Sequence, residues 1–255
     1  GHKVRLIHAH FAIDATYALP LSRKLGIPLV TTFHGVDATA TRKALLTSRK
    51  VSWLLYLLHR AELRRSGRLF LCVSDFIRER VLKLGFPEDR VLTHYSGVDP
   101  EQFVRNREYG SNGLVLHIAR LVEKKGTEDL LCALAKMENG LRPDLVVLGD
   151  GPLRGRLTSL VEHLGLTGRV TFKGFCSHDE VRERLNRADL LCVPSKTAKS
   201  GDSEGLPQVL LEAQAMEVPV VATYHGAFKE AVKLGETGVL APESDPDALA
   251  DALAE

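Results

Sequence analysis

Glu204 and Glu212 stand eight positions apart in Glu204-Gly205-Leu206-Pro207-Gln208-Val209-Leu210-Leu211-Glu212, with Pro207 placed to open a helix. The apolar run Leu190-Leu191-Cys192-Val193-Pro194-Ser195 precedes them and reads as a buried strand entering a loop. A helix N-terminus at the carboxyl end of a parallel strand offers free backbone N–H groups and the positive end of the helix dipole, a natural seat for a phosphorylated ligand. Along one helical axis the two carboxylates would be up to roughly 12 Å apart. That is too far for a directly paired acid and base, and beyond the ~5–9.5 Å of glycosidase carboxylates. It suits two hydroxyl-bearing parts of one extended ligand, such as the hexose and ribose of a nucleotide sugar. Taken alone, the pair reads equally well as a first-turn acid and a surface residue.

Arg120-Leu121-Val122-Glu123-Lys124-Lys125-Gly126 follows another apolar strand and precedes another helix. Arg120 and Lys125 could converge from that loop on a diphosphate and neutralise the departing group without a metal. His34, at the end of a third strand, is either a capping or core residue or a group at a ligand site.

These residues need strands to carry them. Short β-branched and leucine-rich runs alternate with longer helical patterns, which predicts parallel sheets flanked by helices. The first series predicts strands at 4–8, 28–32, 69–73 and 91–94, with helices at 15–25, 48–65 and 75–84; Ser74 is the expected N-cap of the last and Gly85 its stop. A turn-rich stretch from Ser96 to Pro100, then polar residues to Asn112, predicts a boundary, giving domains 1–105 and 106–255. The second series predicts strands at 114–119, 145–148, 170–172, 190–193, 218–222 and 238–240. Its helices are expected at 126–137, 152–164, 178–187, 207–216, 228–234 and 246–254.

The 255 residues, 44% hydrophobic and 26% charged, contain no apolar run of membrane-spanning length and no low-complexity tract. Cys72, Cys132, Cys176 and Cys192 are widely separated and form no C-x-x-C, so neither a disulfide framework nor a metal site is expected from them, and a reducing cytoplasm fits best. Net charge is +2, yet residues 1–105 carry +8 and residues 106–255 carry −6. Much of the excess lies in Arg42, Lys43, Arg49, Lys50, Arg60, Arg64, Arg65 and Arg68, around apolar residues at helical spacing. This is a basic amphipathic helix, read either as a solvated face over a buried stripe or as a surface for anionic lipid or a phosphorylated acceptor. Nucleic acid is disfavoured, because no aromatic-interleaved patch or zinc pattern accompanies the charge.

Taken together, Glu204…Glu212, Arg120…Lys125, Gly149-Asp150-Gly151-Pro152, Phe172-Lys173-Gly174-Phe175 and Val218-Pro219-Val220-Val221-Ala222-Thr223 resemble retaining glycosyltransferase family 4, in that family's order and spacing. His8-Ala9-His10-Phe11 and Thr31-Thr32-Phe33-His34-Gly35-Val36-Asp37 are most similar to members that build bacterial exopolysaccharide, colanic-acid-type polymers or lipid-linked glycans. The resemblance implies the GT-B fold, two Rossmann-like doubly wound domains facing across a cleft, and transfer of a hexosyl group from a nucleotide-diphosphate sugar to a polysaccharide or lipid-linked hydroxyl. It implies that Arg120 and Lys125 hold the diphosphate, Glu212 the ribose and Glu204 the sugar hydroxyls. Backbone of Gly205 and Leu206 would lie against sugar and phosphates, the base near Gly174 and Phe175, and His34 beside the anomeric carbon. No cofactor or metal is expected, and a cytoplasmic location, extending to the inner membrane face, follows.

The chain departs from the family pattern at both ends. The resemblance implies a missing opening strand and Gly-rich loop, roughly 70 to 90 residues before His8, and a missing terminal helix after Glu255, so the first domain is expected to be incomplete. Ala227 and Phe228 replace a second Gly and a small apolar residue, and Glu217 replaces the commoner Gly before Val218. The alternatives are a nucleotide-binding module inactive through truncation, and a nucleotide-sugar epimerase.

Overall fold

The computed structural model describes residues 3–106, 113–138 and 140–255, and the part of the expected boundary at 107–112 lies outside them. Two compact units divide the chain: Gly1–Ser96 together with Thr197–Leu206, and Gly97–Lys196 together with Pro207–Glu255.

In the first unit, strands β1 (Ile7–His10), β2 (Leu29–Phe33), β3 (Leu69–Cys72) and β4 (Val91–Thr93) form a parallel sheet in chain order. Every residue of β2 is buried, as in a strand covered on both faces. Helices α1 (Ala12–Leu25), α2 (Val36–Thr39), α3 (Arg42–Thr47), α4 (Val51–Ser66) and α5 (Asp75–Lys83) make the crossovers. Phe33, Phe70 and Phe86 lock the core edge to face, with centroids 5.1 Å apart for Phe33–Phe86 and 4.7 Å for Phe70–Phe86. Ser74 caps α5 by accepting from the Ile77 N–H at 3.2 Å, as its sequence predicts, and Gly85 follows at φ +82°.

Three element starts lie three residues from expectation. β1 begins at Ile7, because pairing with β2 starts where the Ile7 N–H meets the Pro28 carbonyl, and Val4 and Leu6 stay exposed. α1 begins at Ala12, whose N–H is taken by the Asp37 carboxylate at 2.8 Å, a cap 25 residues away. The predicted 48–65 helix starts only at Val51, with Arg49 at φ +56° separating it from α3.

In the second unit, β5 (Leu114–Ile118), β6 (Asp144–Leu148), β7 (Val170–Gly174), β8 (Leu190–Val193), β9 (Val220–Thr223) and β10 (Gly238–Ala241) pair in parallel in the order β10-β9-β8-β5-β6-β7. This is the doubly wound order, with the direction of winding reversing between β5 and β8. Helices α6 (Thr127–Lys136), α7 (Arg154–His163), α8 (His178–Arg187), α9 (Gln208–Ala215), α10 (Phe228–Ala231) and α11 (Pro246–Ala254) flank it. Leu130, Leu131 and Leu134 of α6 meet Leu249 and Ala250 of α11 in one core. α10 is a single turn, shorter than the expected 228–234, and Phe228 is fully buried in the opposite core layer. The two departures at 227–228 therefore fill space inside the domain: both side chains are 0% exposed.

Candidate functional site

The crevice outside the carboxyl ends of β5 and β8 is where a doubly wound sheet takes ligands, and a buried histidine fixes it. His117 of β5 bonds the Cys192 carbonyl of β8 through Nδ1 at 2.9 Å and Thr127 Oγ1 through Nε2 at 3.0 Å. A carbonyl only accepts, so Nδ1 carries the proton and Nε2 accepts from the threonine hydroxyl. Full burial holds the imidazole pKa down to about 4, so the ring stays neutral. It ties two strands and the first residue of α6 together beneath the reversal point.

The β5–α6 loop lies over this stitch. Gly126, at φ +64°, opens α6 without a side-chain cap, and the Lys196 N–H bonds the Lys124 carbonyl at 2.8 Å. Lys196 Nζ pairs with Asp129 at 2.7 Å, so the acidic first turn of α6 is matched on its flank; Glu128 pairs with Arg156 at 2.7 Å. The next loop is equally close: the Leu121 N–H bonds the Asp150 carbonyl at 2.9 Å, and the Gly149 N–H bonds the Gly174 carbonyl at 2.7 Å.

Between these loops lies a cavity of about 660 Å³. Arg120, Lys125, Gly149, Asp150 and Phe175 line it over an apolar floor that includes Ile118, Leu148 and Val181. Arg120 is exposed, Lys125 half-buried at the end of a 3₁₀ turn, and Phe175 is 87% exposed. Thus two expected diphosphate ligands and one expected base contact share one cavity, with Gly174 (φ +78°) immediately before Phe175. Glu212 is not among the lining residues. It sits half-buried on α9, where burial raises its carboxyl pKa against the opposing pull of His178.

Glu204 lies outside α9, which begins only at Gln208 with Pro207 at its N-cap. The separation expected along one helical axis therefore does not apply: Glu204-Gly205-Leu206 is an irregular segment grouped with the first unit. There it is pressed onto the end of β2. A Cβ built on Gly205 would collide with the His34 carbonyl oxygen, and one on Gly35 would stand 2.9 Å from the Ser203 carbonyl oxygen. The Ser203 N–H bonds Thr39 Oγ1 at 3.1 Å, and Glu204 is 8% exposed.

His34 is held from both sides. Its N–H and that of Gly35 donate to Asp37 Oδ1 at 3.2 and 3.1 Å, while Oδ2 takes the α1 N-terminus. Its Nε2 lies 3.0 Å from His10 Nδ1, and the Phe11 ring stands over it with centroids 4.6 Å apart. Phe11 adopts φ +73°, a conformation a β-substituted residue rarely accepts. Partial burial first, then His10 and His8, keep the His34 pKa below its usual value. Asp37, fully buried, carries a carboxyl raised by desolvation and opposed by these three N–H donors. Sequence reasoning assigned no role to His10, Phe11 or Asp37, although all three fall within the quoted motifs; the only signal was His-x-His-Phe at one strand end and His-Gly-x-Asp at the next.

Two parallel α/β units, the second doubly wound with six strands, are the architecture of the GT-B class of glycosyltransferases. Solved structures of the same architecture include HepE of Anabaena in complex with UDP, with a TM-score of 0.77, 22% identity, and coverage of 97% of this chain and 67% of that one. Sucrose-phosphate synthase of Thermosynechococcus elongatus gives a TM-score of 0.78 at 24% identity, over 98% of this chain and 63% of that one. The chain belongs to the glycosyl transferases group 1 family, whose sequence model matches residues 98–255, with the glycosyltransferase family 4 model matching residues 1–102. A protein of Salmonella typhimurium named as the colanic acid biosynthesis glycosyltransferase WcaL is 35% identical over 254 residues, 97% of this chain and 60% of its own length. The amylovoran biosynthesis glycosyltransferase AmsK of Erwinia amylovora is 32% identical over 249 residues, 96% of this chain and 59% of its own length. The chain thus spans about three fifths of the curated relatives it matches.

Proposed function

We propose that the protein is part of a retaining glycosyltransferase that moves a hexosyl group from a nucleotide-diphosphate sugar to a hydroxyl of a polysaccharide or lipid-linked acceptor. One observation carries this reading: Arg120 and Lys125 line a single cavity with Phe175 at the strand-order reversal of a doubly wound domain. Two cations at that point neutralise the charge that develops on a departing nucleoside diphosphate, and no metal ion is required of them. The exposed Phe175 ring and the Gly174 main chain offer a platform for the base. Glu212 serves the ribose hydroxyls.

In the first unit, His34, Glu204 and the backbone of Gly205 and Leu206 form the group assigned to the transferred sugar. His34 acts as a neutral hydrogen-bonding residue, in keeping with its lowered pKa. No side chain is assigned as a covalent nucleophile. The donor C–O bond breaks, a phosphate oxygen on the same face takes the acceptor hydroxyl's proton, and the acceptor oxygen bonds to the anomeric carbon, so configuration is kept. Proton NMR of the first-formed product tests this directly: an anomeric coupling like the donor's is expected, and an inverted one would overturn the retaining mechanism. Undiminished turnover in His34→Ala would remove His34 from the site.

A further inference from the structure

At the carboxyl ends of β1 and β2, four rings lie in one row. His8 and His10, on one face of β1, have centroids 4.5 Å apart; His10 and His34 are stacked at 5.2 Å, and the Phe11 ring follows 4.6 Å from His34. One end of the row is tied to β2 by the 2.7 Å bond between His8 Nε2 and Thr32 Oγ1. The other end is set by the backbone. Phe11 sits at φ +73°, ψ +133°, outside the regions open to a residue with a β-carbon. Its N–H bonds the Thr32 carbonyl at 2.8 Å and its carbonyl accepts from the Asp14 and Ala15 N–H groups at 3.1 Å, so β1 passes into α1 through this single residue. Sheet and helix dictate that backbone but not its side chain. Glycine takes such a conformation without steric cost, and the Phe11 ring, 38% exposed, is not part of the buried core. Strain retained for a side chain the core does not use points to a functional position.

What the ring touches is His34. From the other side, His10 Nδ1 engages His34 Nε2 at 3.0 Å. One of these nitrogens donates and the other accepts, so the tautomer of each ring fixes that of its neighbour. Burial and the adjacent histidines favour a neutral His34, which keeps one donor and one acceptor nitrogen. Its Nδ1 has no hydrogen bond among the described residues. We infer that Phe11 and His10 are positioning residues for His34: the Phe11 ring sets the plane of the imidazole and the His10 bond its tautomer, leaving Nδ1 as the nitrogen offered to a hydroxyl of the transferred sugar. The last step rests on the role proposed for His34 in the transferase.

The test reads the imidazole first, without substrate, and then turnover. In heteronuclear NMR of histidine-labelled chain, with His34→Ala identifying the signals, the His34 ring nitrogens should shift in His10→Ala and return toward the wild-type positions in His10→Asn, which keeps a hydrogen-bonding atom near Nδ1. Phe11→Ala should move the His34 ring protons downfield as the neighbouring ring current is lost, and Phe11→Tyr should not. Phe11→Gly should unfold at a higher temperature than Phe11→Ala, because only the glycine releases the backbone strain. In transfer assays Phe11→Ala, Phe11→Gly and His10→Ala should each lower kcat about 10- to 100-fold with little change in the donor KM, while Phe11→Tyr and His10→Asn keep most of the activity. His34 signals unaltered in Phe11→Ala and His10→Ala, undiminished turnover in both, or a Phe11→Gly chain less stable than Phe11→Ala would each overturn the inference. The expected spectra from a wild-type chain that transfers sugar from no donor would uphold the positioning of His34 and count against the proposed transferase.

Discussion

Gly126 lies against the Pro194 carbonyl oxygen so closely that a Cβ built on it would overlap that atom, and the backbone there is at φ +64°. Strand β8's exit and the start of α6 are thus in backbone contact, which fixes the end of the Arg120–Lys125 loop against β8. Gly126→Ala must shift one backbone against the other. A destabilisation of about 2–4 kcal/mol is expected from strain and displacement combined, read by urea unfolding, with nucleotide binding lost even where the fold survives.

His117 makes stability depend on acidity. Its folded pKa of about 4 lies below the ordinary value of 6.5, so the unfolded chain binds the extra proton first. The stabilisation is complete above about pH 6.5 and is lost as pH falls toward 4, amounting to about 3 kcal/mol. His34 and His8 are shifted in the same direction and steepen the same window. Denaturant midpoints from pH 7.5 to 4.5 (roughly the range of interest) should fall in the wild-type chain and fall less in His117→Gln.

Glu217 follows α9 at φ +55°, the left-handed position where helices commonly end in glycine. Glu217→Gly should relieve the steric cost of a β-carbon there and stabilise the second unit by about 1 kcal/mol. A thermal midpoint that rises by a few degrees would agree, and one that drops would show that the Glu217 side chain contributes more than its backbone costs.

Asp37 carries three N–H bonds from Ala12, His34 and Gly35. Asp37→Asn replaces one acceptor with a donor facing those hydrogens. A loss of about 3 kcal/mol in stability is expected, together with a larger fall in kcat than rise in KM once a substrate is in hand, because the His34 backbone loses its anchor while Arg120 and Lys125 are untouched.

How much of this was legible beforehand depended on whether the cause was local. Four strands and then six, the Ser74 cap and the Arg120–Lys125 loop follow from alternation, capping chemistry and motif spacing, all written within a few residues. The start of α1 was not legible, because its cap is Asp37, nor was the late start of β1, which β2 imposes through register. The α9 helix is legible from Pro207 onward, with Glu212 on it and Glu204 before it, but nothing in the run Lys196-Thr197-Ala198 marks the point at which the chain passes to the first unit and takes Glu204 with it. His10 was visible as a residue but not as a partner, since its contact with His34 joins neighbouring strands.

Calorimetric titration with UDP, GDP and ADP tests most directly whether the cavity lined by Arg120 and Lys125 binds a nucleoside diphosphate, as proposed. Binding of one nucleotide, unchanged by chelator, and weakened about 10- to 100-fold by Lys125→Ala and measurably by Glu212→Ala, is the result expected when charge-assisted contacts are removed. Equal binding by the wild-type chain and Lys125→Ala, or the absence of binding to any of the three by the folded chain, would contradict it.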